Sequence, residues 1–377
     1  MSPAATGGER LIPSTTRIAL ARQRRGLSVT GLAKKLDVNP KTVSRWELGE
    51  TKPDSAAIEL LSTVLDVSPR FFALDDIDEL NEAAVSFRAL SKRTARELAM
   101  SLACGRIATD IAAWMRANYR IPELNLPTLE GYEPERAAAV VRERWGLGTA
   151  PINNMLDVLE AHGIHVFSLA NDCQSVDAFS FTREGRGYVL LNIAKTGERR
   201  RFDAAHELGH LVLHCGDEVP HGKEAEADAQ RFAAAFLMPA PSVQAASLRN
   251  ATVPTILKAK RHWKVAATAL THRLHELGLL TDWGYRDAFV RLSQMGYRSG
   301  EPAGAITPEV SQIATKVVKS LRTQKRRDAD MAEALGLTIQ ELGAHLFKLL
   351  PFVIEGDADG SSPGNAPQLT VVKGGLS

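Results

Sequence analysis

The stretch RRFDAAHELGHLVLH at residues 200–214, followed by KEAEADAQRFAAAFLMP at 223–239, decides how the rest of the chain is interpreted. Both segments have helical periodicity, and the first contains His206 and His210, one helical turn apart. Residues i and i+4 lie on the same face of a helix, so both imidazoles can reach one ion. The sequence therefore predicts a metal site on this helix.

The third metal ligand is expected from the second segment, where acidic residues stand at alternate positions and cannot all share one helical face. We favour Glu226, because the small residues Ala229 and Ala233 lie on its side of the helix. They form a floor that would let the second helix pack closely on the first. Four other residues remain open as the third ligand: Asp228, Glu224, His214 and His221.

Glu207 stands beside the first histidine and is the expected general base, because its carboxylate can accept a proton from metal-bound water. Two histidines, one glutamate and an open fourth position form the ligand set of catalytic Zn²⁺. Asp203, three residues before His206, is a candidate for holding that imidazole in place, and capping of the helix is the alternative role for it. Gly209 leaves the helix surface open, so another backbone could approach it closely.

Strand-like segments precede the histidine helix at residues 163–170, 176–182 and 187–193. Helical patterns come before these strands at residues 94–119, 136–145 and 152–162. The chain beyond residue 240 is again helical in period, to about residue 353. We therefore expect a mainly α fold with one small β-sheet, of the α+β class.

A basic segment near the N-terminus has the spacing of a helix-turn-helix, with nine basic against three acidic residues from Arg17 to Lys52. Ser28 is the expected N-cap of a helix at Val29–Leu36, and Asn39-Pro40 opens the next helix. Four side chains of this next helix should face outward, toward phosphates and base edges: Lys41, Thr42, Ser44 and Arg45. A basic helical bundle that binds protein instead of DNA is the alternative.

The composition excludes several classes of protein. The chain has 377 residues, 44% of them hydrophobic and 24% charged, with a net charge of +2 and three cysteines. No apolar run approaches the roughly 18–20 residues of a transmembrane helix, and the cysteines are too few for a disulfide framework. We expect a cytoplasmic, multidomain globular protein.

The chain divides by composition into six segments. We expect a flexible N-terminus at 1–14, a five-helix helix-turn-helix domain at 15–78, a helical linker at 79–130, a metal-binding domain at 131–295, a helical region at 296–354 and a flexible tail at 355–377. Residues 330–347 have a second helix-turn-helix pattern but few basic residues that could face DNA, which favours a packing or dimer element.

The stretch SVTGLAKKLDVNPKTVSRWELGETKPD at residues 28–54 resembles the helix-turn-helix of the XRE (lambda-repressor-like) family. The resemblance implies binding of DNA. It also implies that Arg22 of the first helix pairs with Glu47, at the end of the recognition helix. Where that family often has a DNA-contacting glutamine at the start of the second helix, this chain has Val29.

The histidine helix and the segment EADAQRFAAAFLMP resemble the ImmA/IrrE family of bacterial zinc metallopeptidases. The resemblance implies a zincin-like domain over 131–295, with Zn²⁺ as cofactor. The first glutamate of the family's downstream pattern falls on Glu226, and the second acidic position falls on Asp228. The family's asparagine falls on Gln230, so Asp228 and Gln230 are candidates for orienting the ligands.

Together the two resemblances imply a transcriptional regulator that cleaves a repressor, often XRE-like itself, during stress or prophage induction. Its partners would be DNA and a protein substrate, and a homodimer is possible. The alternative is a non-proteolytic XRE-type regulator or antitoxin-like protein, whose metallopeptidase fold serves only for sensing or interaction.

Overall fold

The structure is a computed structural model, and it describes residues 13–81, 85–87, 94–173, 176–214, 222–302, 305–324 and 326–350. Within this part of the chain there are sixteen α-helices and one four-stranded sheet, which confirms the predicted mainly α fold. Most of the predicted flexible N-terminus and all of the predicted tail lie outside the described residues. Among the residues described, no helix is both long and apolar enough to cross a membrane.

The N-terminal helices begin where their capping residues predict. They are α1 at Thr15–Arg24, α2 at Val29–Leu36, α3 at Pro40–Glu47 and α4 at Ser55–Leu65, followed by a 3-10 helix at Pro69–Ala73. Ser28 accepts the Gly31 N–H, and Asn39 accepts the Lys41 N–H, so both predicted N-caps are present. The fifth of the expected five helices is this 3-10 helix.

The sheet consists of β1 at Val85–Phe87, β2 at Ile164–Ser168, β3 at Ala178–Arg183 and β4 at Arg186–Leu191. The strand order is β1-β3-β4-β2, with β2 parallel to β4 and the other two pairings antiparallel. A two-residue turn with positive φ at Glu184 and Gly185 joins β3 to β4, which suits the twist of a hairpin. The strand β1 is absent from the sequence prediction, which treats residues 79–130 as helical.

Helices surround the sheet on both faces. The next five are α5 at Ala95–Asn118, α6 at Pro134–Arg144, α7 at Met155–Ala161, α8 at Gly197–Leu213 and α9 at Lys223–Leu237. The last seven are α10 at Ala240–Ala245, α11 at Val253–Trp263, α12 at Ala267–Glu276, α13 at Asp282–Gln294, α14 at Gln312–Thr323, α15 at Asp328–Ala334 and α16 at Ile339–His345.

Helix α5 joins the helix-turn-helix to the sheet. Its Asp110 pairs with Arg17 of α1, and its Gly105 lies against Phe179 and Phe181 of β3. Apolar side chains from α1–α4, α5, one face of the sheet and α14–α16 form one continuous core. The segment expected to be a linker therefore carries a helix at the centre of this core.

The C-terminal helices also pack against both units. Val67, after α4, forms a β-bridge with Leu337, and the Ser68 N–H donates to the Gly336 carbonyl. On the other side, the Ser168 hydroxyl at the end of β2 donates to the Ala344 carbonyl at 2.6 Å. Residues 330–347 thus pack between the helix-turn-helix and the sheet, which agrees with the packing role expected for them.

A buried ion pair holds this three-way junction. Arg24 of α1 donates from Nε to Glu341 of α16 at 2.5 Å, and Arg25 and His345 also contact that carboxylate. Burial alone would raise the pKa of Glu341, but Arg24, His345 and Arg25 outweigh burial and hold this pKa well below its usual range.

We expect Glu341→Gln to destabilise the protein by about 3 kcal/mol at neutral pH, because Arg24 then loses its buried counter-charge and keeps only the partly exposed Asp172. A carboxyl with a depressed pKa stabilises the folded state above the unfolded-state pKa, and this contribution is lost on acidification. The difference in unfolding free energy between wild type and variant should therefore shrink as the pH falls below about 4. Denaturant titrations at several pH values measure it, and the exposed Glu333→Gln is the matched control. An equal difference at every pH would contradict the assignment.

Candidate metal centre and DNA-facing helix

Two histidines of α8 meet on one face of the helix. Thr196 caps α8 by accepting the Arg199 N–H, and almost the whole helix is buried against β3, β4 and α9. The Nε2 atoms of His206 and His210 are 3.1 Å apart. The i, i+4 spacing read from the sequence therefore brings the two ring nitrogens to a common point.

Glu226 of α9 completes a three-residue cluster with these histidines. Its two carboxylate oxygens lie 3.4 Å from Nε2 of His206 and 3.5 Å from Nε2 of His210. The potential ligand atoms of the three residues all lie within 4.8 Å of one another. Ligands held about 2.0–2.1 Å from a tetrahedral ion are roughly 3.4 Å apart, so this donor set and spacing fit a metal ion such as Zn²⁺.

The approach of α9 to α8 depends on small residues at the crossing. A Cβ atom at Gly209 would lie 3.2 Å from Cα and O of Ala229 and 3.1 Å from the Phe232 ring. Such contacts are tighter than ordinary van der Waals contact, so a side chain at this position would require α9 to shift by a few tenths of an ångström. The close packing expected from Gly209 and Ala229 is present, and it brings Glu226 to the histidines.

None of the other described acidic candidates belongs to this cluster. Asp228 accepts from Arg231 on its own helix at 2.7 Å, while Glu224 and Gln230 are exposed. Asp203 accepts from Lys195 Nζ at 2.7 Å. His221, the remaining open candidate for the third ligand, lies outside the described residues.

His214 contacts His210 on the side away from the candidate metal site, a position that sequence reasoning does not assign to it. Its Nδ1 atom is 3.0 Å from Nδ1 of His210, the ring nitrogen opposite the one that faces Glu226. Burial and the neighbouring His210 lower the pKa of His214 to about 4, so a neutral ring faces His210. A partner on the second nitrogen fixes the orientation of a ligand imidazole. The i+4 spacing from His210 was the available signal.

Glu207 is buried, with 1% of its surface exposed, and two hydroxyls hold its carboxylate. Ser86 of β1 and Ser180 of β3 each donate to Oε2 at 2.8 Å. Burial raises the pKa of Glu207 to about 7, against the opposing effects of His210, Ser180 and Ser86. Neither serine is predicted from the sequence, because their contact with Glu207 depends on how the sheet packs on α8.

A cleft of about 460 Å³ opens beside α8 and α9. Asp203 and Lys195 line one side of it, and Gln230 and His272 line another. The cleft is thus lined by charged and amide groups, and its lining does not include His206, His210 or Glu226.

The four DNA-facing candidates lie on the outer side of α3. Lys41 and Arg45 are exposed and Thr42 and Ser44 are half-buried, whereas Val43 and Trp46 are packed inside. Arg22 donates from Nε and Nη2 to the two oxygens of Glu47 at 2.6 and 2.9 Å, which is the pairing implied by the XRE resemblance. Val29 packs partly against the core, so it offers no polar group there.

Comparison with protein-family models agrees with both units. Residues 18–72 match the model described as helix-turn-helix, and residues 159–275 match the IrrE N-terminal-like domain, a metallopeptidase family. The chain joins an XRE-type helix-turn-helix to an ImmA/IrrE-type peptidase domain. This architecture implies binding of DNA and a protein substrate. No curated protein matches the chain.

The ImmA/IrrE match spans α8 and α9, and it extends beyond them through α10, α11 and most of α12. It begins after β1 and Ser86, however, so the hydroxyl that this strand contributes to Glu207 comes from outside the matched segment. The candidate site thus includes a contact from a residue that the family comparison does not cover.

Removal of a ligand tests the metal site. We expect His206→Ala and Glu226→Ala to lose most of the bound metal after equilibration with one equivalent of Zn²⁺, because each leaves only two protein ligands. Asp228→Ala is the matched control on the same helix and should keep its metal. Metal analysis of the purified variants measures this. Full zinc content in His206→Ala would refute the site, and loss in Asp228→Ala but not in Glu226→Ala would change the third ligand.

Removal of the two exposed basic side chains of α3 tests the DNA surface. We expect Lys41→Ala/Arg45→Ala to abolish specific DNA binding. The slope of the logarithm of the remaining affinity against the logarithm of salt concentration should become shallower by about one for each lost phosphate contact. Lys316→Ala/Arg322→Ala on α14 removes the same charge elsewhere and should leave binding unchanged. Zinc content should be equal in both variants. Wild-type protein without salt-sensitive DNA affinity would mean that this surface binds another partner.

Proposed function

We propose that the protein is a cytoplasmic, DNA-binding transcriptional regulator whose second unit is a Zn²⁺-dependent endopeptidase. The observation that supports this most directly is the convergence of His206, His210 and Glu226 at one point, with the Glu207 carboxylate on the same helix. Two histidines and one glutamate leave a fourth position for water or substrate, as a hydrolytic site requires.

A zinc ion held by these three residues would polarise the scissile carbonyl and lower the pKa of the attacking water. Glu207 would accept the proton of that water and pass it to the departing amine. Because the Ser180 hydroxyl donates to Oε2 of Glu207, the carboxylate cannot rotate freely. It would therefore accept the proton of the water in a fixed orientation. His214 would keep the His210 ring oriented by its contact with Nδ1.

The substrate we propose is a repressor protein, often itself of the XRE type, that is cut to relieve repression during stress or in the control of a prophage or mobile element. Lys41 and Arg45 on the outer face of α3 would bring the peptidase to DNA that such a repressor occupies. The helix-turn-helix and the peptidase unit share a core through α5, so binding by one unit places the other nearby.

A second candidate function is a non-proteolytic regulator in which the peptidase fold only senses or binds a partner. One observation favours it: His206, Glu207 and His210 are almost completely buried, so a peptide cannot contact them in this conformation. The complete set of ligands with an intact Glu207 favours the enzyme.

The variant Glu207→Gln separates these two functions. The amide keeps the size of the side chain but removes its basicity, so zinc content and folding should be unchanged. Cleavage of the target repressor should fall by about 10²–10⁴-fold, the usual effect of losing a general acid–base group. The measurements are repressor cleavage by gel and derepression of a reporter in cells.

The exposed variant Glu333→Gln is the control for Glu207→Gln, and it should be derepressed like wild type. A non-proteolytic regulator would respond equally in cells with Glu207→Gln and in cells with wild type, since nothing is cut. Equal derepression in the two strains, with normal zinc content, would therefore rule out the peptidase.

A further inference from the structure

The strand β1 lies directly on the general base proposed for the peptidase. Ser86 is the register partner of Ser180 in β3, and their hydroxyl oxygens are 2.9 Å apart. The Ser86 hydroxyl donates to Oε2 of Glu207 at 2.8 Å and is itself buried. A residue 121 positions before Glu207 in the chain thus covers the carboxylate that has to handle the attacking water.

The outer edge of β3 is the place where an extended peptide could bind next to Glu207. Extended peptides bind to sheets by adding a strand at an edge, where main-chain groups are otherwise unpaired. The other edge of the sheet is β2. Because β4 lies between β2 and β3, β2 is roughly 10 Å from β3 and correspondingly further from Glu207. A carbonyl under attack has to lie within about 3.5 Å of the water that Glu207 activates. The Ser86 hydroxyl, 2.8 Å from Oε2, lies against the carboxylate that this water has to reach.

We propose that β1 is an internal inhibitory strand, which occupies the edge of β3 in place of the substrate and has to leave before cleavage. This inference rests on the proposed peptidase function and concerns the regulation of the same site. It explains why Glu207 is closed to solvent although Glu226 of the candidate ligand cluster is partly exposed.

β1 is short and pairs with one neighbouring strand, as expected of a strand that can dissociate from the edge of β3. It pairs with β3 over three residues, Val85 to Phe87, and pairs with no other strand among the residues described. The described chain before it is held at Leu80, which lies against Gly105 of α5, and the chain after it is held by the capping box at Thr94. Only this three-residue pairing has to break for β1 to leave the edge of β3.

The opposite role for Ser86 is that of a positioning residue, which orients Glu207 and is needed for activity. The two roles predict opposite effects of displacing β1. An inhibitory strand suppresses cleavage while it is docked, whereas a positioning strand supports cleavage only while it is docked.

The first test displaces β1 without changing Ser86. Val85 is fully buried, so Val85→Asp would place a charge in the core and release the strand. If β1 is docked at least nine-tenths of the time, kcat/KM for fluorescein-labelled casein should rise at least about tenfold. Val290→Asp makes the same change at an exposed position on α13 and should leave kcat/KM at the wild-type value. A fall in kcat/KM for Val85→Asp, with zinc content and melting temperature retained, would overturn the proposal.

The second test fixes β1 on β3. In Ser86→Cys/Ser180→Cys the two thiols should be close enough to form a disulfide, with oxidised glutathione as the oxidant and two reduced glutathione molecules as the product. Mass spectrometry measures the cross-link independently of activity. Casein cleavage by the oxidised protein should fall at least tenfold below that of the reduced protein and return on reduction. The single variant Ser86→Cys should not respond to the redox change.

These experiments separate failure of the inhibitory strand from failure of the peptidase assignment. Absence of the disulfide, or equal cleavage by the oxidised and reduced double variant, would overturn the inhibitory strand alone. If wild type, Val85→Asp and the reduced double variant all bind zinc but leave casein and the repressor uncut, the peptidase function fails and the inhibitory role fails with it.

Discussion

The close crossing of α8 and α9 at Gly209 is the constraint on which the metal cluster depends. Because Gly209 has no side chain, the backbone of Ala229 can lie against it, and Glu226, about one turn before Ala229, then reaches both histidines. A larger residue at the crossing would push the helices apart. Ligand distances near 3.4 Å leave little tolerance for such a shift, since a metal–ligand bond varies by only about 0.2 Å.

Burial of charged groups connects this cluster to the rest of the molecule. Glu207 is withdrawn from solvent and held by hydroxyls from two strands, and Glu341 is withdrawn from solvent and held by Arg24 of α1 and by Arg25 directly after it. Each arrangement joins segments that are far apart in the chain. Because an unpaired buried charge is costly, a shift of any one segment affects its partners. The helix-turn-helix, α5, the sheet and α16 consequently form one structural unit, although they resemble separate modules in sequence.

Local signals predicted most of the helices and the ligands that lie on them. The caps at Ser28 and Asn39, the i, i+4 histidines and the small face of α9 all act within one or two helical turns, so the sequence displays them directly. The strand β1 was not predicted, because three residues have no periodicity and their pairing with β3 joins positions 94 apart in the chain. The contact between His214 and His210 was also missed, although its i+4 spacing is visible.

The sequence by itself determined the two units, most of the helices that carry them and the candidate side chains for binding a metal or DNA. These properties follow from residue type and from spacing along a single helix. Only the tertiary structure decided that Glu226 and not Asp228 faces the histidines, that α5 lies in a shared core, and that Ser86 covers Glu207. The physical reason is that each of these contacts joins segments that are distant in the chain. Which segments pack together depends on how closely their backbones can approach and on the pairing of buried charges, and neither can be read from the local sequence.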